Sequence, residues 1–146
     1  MTIDTRLAQL GITLPDAPAP AANYVPYVIS GNMLFVSGQI SALKGRLGDD
    51  LDVAQGAEAA RGCGLSLLAQ AKAALGSLDR VARVVRLGGF VNSTADFTDQ
   101  PEVINGCSDL MVEVFGDKGR HARAAVSVPA LPRGVAVEID AIFEIA

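Results

Sequence analysis

Two side chains of opposite charge, Arg123 and Glu138, stand fifteen residues apart in the last quarter of this chain. A guanidinium offers a planar fork that takes a carboxylate in two parallel hydrogen bonds, so Arg123 could anchor a small acid. It could equally pair with an Asp or Glu at an interface, and spacing alone does not separate the two roles. Glu138 could orient or deprotonate an attacking water, or it could be a solvated strand carboxylate. Tyr24 could donate a hydrogen bond over a pocket or sit at a strand edge with its hydroxyl in water. Gly38 allows backbone to approach a ligand closely. Ser37 has no evident base beside it, so no nucleophile is expected. His121 could line a cleft rim, but reads first as a lone surface histidine. Arg80, Arg83 and Arg86 recur at i+3, but along a strand they would alternate faces, which is weak support for RNA binding.

The elements that must position these groups follow from the pattern. The chain has 146 residues, 50% of them hydrophobic and 19% charged. That is one domain's length, with enough apolar content for a core and too much for disorder. A net charge of −4 gives no basic field for phosphate, so nucleic acid is not an expected partner. Two cysteines outside any CxxC pair and one histidine cannot assemble an ordinary zinc site. Cys63 and Cys107 read as reduced, buried helix residues. The segment from Met1 to Ala19 lacks the apolar core of a signal peptide, and no apolar run is long enough to span a bilayer. A soluble, cytoplasmic protein with no membrane contact is expected.

Thr5 to Leu10 could form a short helix stopped by Gly11, followed by a Pro-rich lead-in from Leu14 to Pro20. Tyr24 to Ile29 and Met33 to Ser37 are β-prone runs around the turn Ser30-Gly31-Asn32, a hairpin. Ser41 to Asp52 reads as a solvated loop. A long helix should run from about Asp52 to Leu75 with Gly76 as its stop; Gly62 and Gly64 weaken it unless they mark close packing against a sheet. Val81 to Val91 reads as a strand. Asp99, three residues before Glu102, resembles a capping box, and Val103, Ile104, Cys107, Leu110, Met111, Val114 and Phe115 make one apolar helix face. Ala122 to Val128 and Val135 to Ile145 are strands, with Leu131 to Gly134 as a hairpin connection. On the last strand Val137, Ile139, Ala141 and Phe143 point one way, and Glu138, Asp140 and Glu144 the other.

The order is β-β-α-β-α-β-β, an α+β domain with a mixed sheet and two helices on one face. The opposite face would carry Arg123, Ser127, Glu138 and Asp140, suited to a subunit interface with a polar cleft. With the last two strands paired as a hairpin, Arg123 and Glu138 would lie about 17 Å apart in one chain. A site using both would then combine Arg123 of one subunit with Glu138 of another.

Two segments resemble a known family. Gly31-Asn-Met-Leu-Phe-Val-Ser-Gly-Gln-Ile40 is similar to the GNxxxxSGQI segment of the RidA family, also called YjgF and often labelled endoribonuclease L-PSP. The stretch Ala122 to Ile142, with Ala-Arg, Leu-Pro and Val-Glu-Ile-Asp-Ala-Ile in order, resembles that family's C-terminal signature. The resemblance covers about residues 22–146, leaving 1–21 as an N-terminal extension packed on the domain. It implies a chorismate-mutase-like fold, a homotrimer with clefts between subunits, and cofactor-free hydrolysis of reactive 2-enamines and 2-imines to 2-keto acids and ammonia. It assigns carboxylate binding to Arg123, water handling to Glu138 and pocket lining to Tyr24, Ser37 and Gly38. Ala125 stands where many members have cysteine, a contact made largely by backbone. Asn105 is only a loose match to the family's pocket asparagine, and the segment from Asp96 to Arg123 resembles a less characterised branch. Other readings are a non-enzymatic binder of small carboxylates, an endoribonuclease as the label suggests, and a structural trimer with a vestigial cleft. No metal or cofactor is expected.

Overall fold

A computed structural model describes residues 1–20 and 22–146. The chain runs α1 (Ile3–Gln9), β1 (Tyr27–Ser30), β2 (Met33–Ile40), α2 (Val53–Leu75), β3 (Val81–Asn92), α3 (Gln100–Phe115), β4 (Ala122–Val128) and β5 (Val137–Ile145). The five strands form one mixed sheet in the order β1-β2-β5-β3-β4. All neighbours are antiparallel except β3 and β4, which are parallel.

The first hairpin forms as its turn residues require, with Ser30 opposite Met33 and Gly31 at φ +60°. The C-terminal hairpin does not form. β5 inserts between β2 and β3, while β4 lies on the far side of β3 at the sheet edge. The physical reason is burial. The alternating apolar face of β5, Val137, Ile139, Ala141 and Phe143, is almost wholly excluded from solvent, which a central position provides. β4 keeps a mixed, half-exposed pattern suited to an edge.

α2 lies over β2 and β5, and α3 over β3 and β4. α2 opens with a reciprocal capping box between Asp52 and Gln55 and ends at Gly76 in the left-handed region. α3 has Asp99 at its N-cap without a side-chain hydrogen bond, so the expected capping box is absent. Asp99 sits at φ −94°, ψ 31°, outside the extended geometry from which a cap side chain reaches back. Gly64 marks close packing, but of helix on helix. A Cβ there would stand 2.8 Å from Leu110 Cδ2 of α3, and one on Gly106 of α3 would strike the Ala57 carbonyl of α2. All seven residues of the apolar stripe on α3 are buried. The loop before α2 is less solvated than its composition suggests, because Leu47 and Leu51 enter the core. Cys63 and Cys107 are free and buried.

α1 docks through Leu7, through Arg6 Nε on the Glu113 carbonyl at 2.9 Å, and through Ile3 N on Asp79 Oδ1 at 2.8 Å. Among the described residues no helix is long and apolar enough to cross a membrane.

Candidate functional site

Glu138, Asp140 and Ile142 face away from the helices, because their neighbours Ile139, Ala141 and Phe143 fill the core. β2 carries an irregularity between Val36 and Gln39: Val36 pairs with Ala141 and Gln39 with Ile139, so Ser37 and Gly38 bulge out beside β5. A groove of about 900 Å³ lies on this open side. Tyr24, Ser37, Gly38 and Glu138 all line it, with Pro18, Pro20, Arg86 and Asp140.

The bulge is held from behind. Gln70 of α2, 1% exposed, donates from Nε2 to the Pro18 carbonyl at 2.6 Å and to Gln39 Oε1 at 3.3 Å. Gln39 donates in turn to the Ser37 carbonyl at 2.9 Å. Ser37 Oγ donates to the Val25 carbonyl at 2.8 Å, so its hydroxyl serves the segment that enters β1. The N-terminal strap and the bulged strand are thereby joined through one buried amide.

Burial raises the pKa of the Glu138 carboxyl, and the neighbouring Asp140 charge adds to the effect. Burial raises that of Asp140 also, opposed by Arg86 and by a hydrogen bond from the Gly88 backbone. Arg86 stands on the same face as Asp140 because β3 is irregular between Val81 and Arg83 and again between Val84 and Arg86. Each shift inserts one residue, so Val81, Val84 and Leu87 all face the core and Arg83 and Arg86 share the opposite face. The expected alternation of these arginines is therefore wrong. The space over Gly88 holds the Asp140 carboxylate, and Arg86 Nη1 lies 3.1 Å from where a Cβ would be.

Arg123 and Ser127 are not on this face, contrary to expectation. In the parallel pairing they sit beside Leu87 and Val91, both core residues, and so point to the helix side. Arg123 Nη1 donates to Ser108 Oγ at 2.9 Å and Nη2 to the Pro101 carbonyl at 3.2 Å, both on α3. Ser127 Oγ accepts from Ser93 at 2.6 Å and Gln100 at 2.8 Å. Ala125, between them on the same side, packs against the core margin. Glu138 is opposite Phe90 and Arg123 opposite Leu87, three rows apart on strands separated by β3. The lateral gap alone is about 10 Å, and the side chains leave opposite faces. One chain does not bring them together, although the pairing differs from the expected hairpin.

His121 is not a lone surface histidine. Its Nε2 lies 2.9 Å from Ser108 Oγ and its Nδ1 bonds the Gly119 carbonyl. Burial lowers its pKa; Arg123 lowers it further, while the bond to Gly119 opposes both. Asp140 was readable two places from Glu138 on an alternating strand. Arg86 depended on the two irregularities of β3, and Ser108 on tertiary contact between α3 and β4. Among the described residues no cluster of His, Cys, Asp and Glu could hold a metal ion.

The single mixed sheet, the helices on one face and the bulged second strand together define a YjgF/chorismate-mutase-like fold. The chain belongs to that family: the family model described as "YjgF/chorismate mutase-like, putative endoribonuclease" matches residues 4–143. Protein TCP17 of Trypanosoma cruzi is 53% identical over 98% of this chain and 94% of its own length. The crystal structure of Atu1372 from Agrobacterium tumefaciens, of unknown function, superposes with a TM-score of 0.92 at 51% identity, covering 99% of this chain and 92% of that one. That of E. coli TdcF with bound serine gives 0.66 at 26% identity, covering 89% and 94%.

Proposed function

We propose that this protein hydrolyses 2-enamino and 2-imino acids to 2-keto acids and ammonia, in clefts between the subunits of a homotrimer. The observation that carries the reading is the separation of Arg123 and Glu138 onto opposite faces of one sheet, each at the surface and each with unspent capacity. Exposed Val28 and Phe35, paired across β1 and β2, and exposed Ile40, opposite Glu138, are apolar surface of the kind that a second copy covers. The serine bound by TdcF, a relative of the same fold, is a small amino acid of the size and charge this reading requires.

In this scheme Arg123 of one subunit binds the substrate carboxylate, a charge-assisted contact of about 1.5–3 kcal/mol. Glu138 of the next subunit accepts a proton from a water that adds to the imine carbon. Glu138 returns that proton to nitrogen, giving a carbinolamine; the carbinol hydroxyl proton then passes to nitrogen as the C–N bond breaks, so ammonia leaves and a keto group remains. Atoms balance with one water consumed, and the charge sites need no cofactor. The raised pKa of Glu138 suits a group that must take up a proton and release it.

The test is ammonia release from enzymatically generated 2-aminoacrylate and from larger imino acids, with Arg123→Ala alongside. Acceleration lost in the variant supports the deaminase. Arg123-dependent keto-acid binding without acceleration leaves a carboxylate-binding protein. Salt-dependent RNA binding and cleavage would favour the endoribonuclease label instead.

A further inference from the structure

Arg123 has no carboxylate partner among the described residues; the ion pairs are Arg61–Glu113, Lys72–Asp4 and Arg120–Asp117. Neutral acceptors hold its guanidinium instead, the Ser108 hydroxyl and the Pro101 carbonyl. The positive charge is thus fixed in place without being neutralised. Of a guanidinium's five N–H groups these contacts use two and leave three for a ligand.

The direction of the hydrogen bonds behind Ser108 follows from valence. The Gly119 carbonyl only accepts, so His121 Nδ1 carries the proton. In the neutral ring Nε2 is then an acceptor, and Ser108 Oγ–H donates to it. Donating its one proton leaves the Ser108 oxygen lone pairs facing Arg123, and each bond polarises the next. The relay runs Arg123 to Ser108 to His121 to Gly119, from β4 to α3 and back to the turn before β4. Ser108 lies seven residues after Pro101, so both acceptors occupy one stripe of α3 and define a fixed line for the guanidinium.

We propose that Ser108 and His121 are positioning residues for Arg123, presetting its guanidinium to receive the carboxylate of a 2-imino or 2-keto acid. This rests on the reading that Arg123 is the carboxylate anchor. The device supplies the orientation that a salt bridge would give while sparing the charge for the ligand.

The experiment compares wild type, Ser108→Ala, Ser108→Thr and His121→Ala. Two readouts are used: binding of 2-ketobutyrate by calorimetry, and rotation of the Arg123 guanidinium in the free protein by 15N NMR of its Nε–H group. Ser108→Ala should weaken binding about tenfold and speed rotation, because one fixed hydrogen bond to a charged group is lost. Ser108→Thr, which keeps the hydroxyl, should recover both. In turnover the loss should fall on KM with kcat little changed, since the anchor acts in ground and transition states alike. Unchanged binding and rotation in Ser108→Ala would overturn the proposal. If wild type itself binds no keto acid, the functional reading fails, and guanidinium rotation alone decides the positioning role. If Ser108→Ala does not fold, His121→Ala is judged by the same two readouts.

Discussion

Gly38 lies directly beneath the carboxylate of Glu138. A Cβ at position 38 would collide with Glu138 Oε2 and stand 2.9 Å from its Cδ. The obstacle is the end of a flexible side chain, so an added methyl displaces the carboxylate more readily than it disturbs the fold. Gly38→Ala should therefore lower kcat/KM by about 10²-fold, the loss typical of a displaced catalytic group. Its thermal midpoint should stay close to wild type. Full activity in this variant would separate Glu138 from the chemistry.

Glu138 must be ionised to act as a base, and its pKa is raised by burial and then by Asp140. The acid limb of kcat/KM should accordingly sit above the ordinary carboxylate range of about 4.3. Asp140→Asn removes the like charge and should move that limb to lower pH. Burial, the larger cause, remains, so the shift is only partial. A limb that does not move on this substitution assigns it to another group.

The same shift has a consequence for stability. A carboxyl whose folded pKa lies above its unfolded value costs nothing where both states are protonated, and destabilises as pH rises through the folded pKa. Glu138→Gln should then raise the thermal midpoint at neutral pH. Below about pH 4 the gain should vanish. Melting curves across pH check both the sign and the window.

If each cleft uses Arg123 of one subunit and Glu138 of the next, two inactive variants should rescue each other. Arg123→Ala and Glu138→Gln, unfolded and refolded together in equal amounts, place an intact pair in about one cleft in four of a randomly mixed trimer. Activity near one quarter of wild type is expected, against almost none for either alone. No recovery in demonstrably mixed oligomers would mean that both groups must come from one chain.

Neither thiol should react with a maleimide or an aromatic disulfide in the native protein. Burial pushes Cys107 up to about 12, with Arg123 opposing, and raises Cys63 further still. Cys63 Sγ also donates to the Val137 carbonyl at 3.5 Å. Labelling should appear only with denaturant; rapid labelling of either native cysteine would show that the helix layer opens.

Local pattern was enough for most elements. The alternation along Val137 to Ile145, the apolar stripe of α3 and the turn at Gly31 each rest on periods of two or 3.6 residues, or on one backbone preference, and such signals are complete within a short window. The same windows put Glu138 on the polar face of its strand; the family segments singled it out together with Tyr24, Ser37 and Gly38, and the groove gathers all four.

Strand order was decided by tertiary structure. Leu131 to Gly134 has turn chemistry compatible with a hairpin, yet the burial demanded by the apolar face of β5 places that strand in the centre and sends β4 to the edge. That choice turns Arg123 toward α3 and away from Glu138. Two irregularities in β3 bring Arg86 onto the open face, and helix packing brings Ser108 to His121 and Arg123. The sequence by itself determined which residues carry charge and which faces are apolar, because those are properties of side chains and short-range spacing. Which charges meet depends on strand order, register and helix docking, and these are settled only when distant segments compete for the same core.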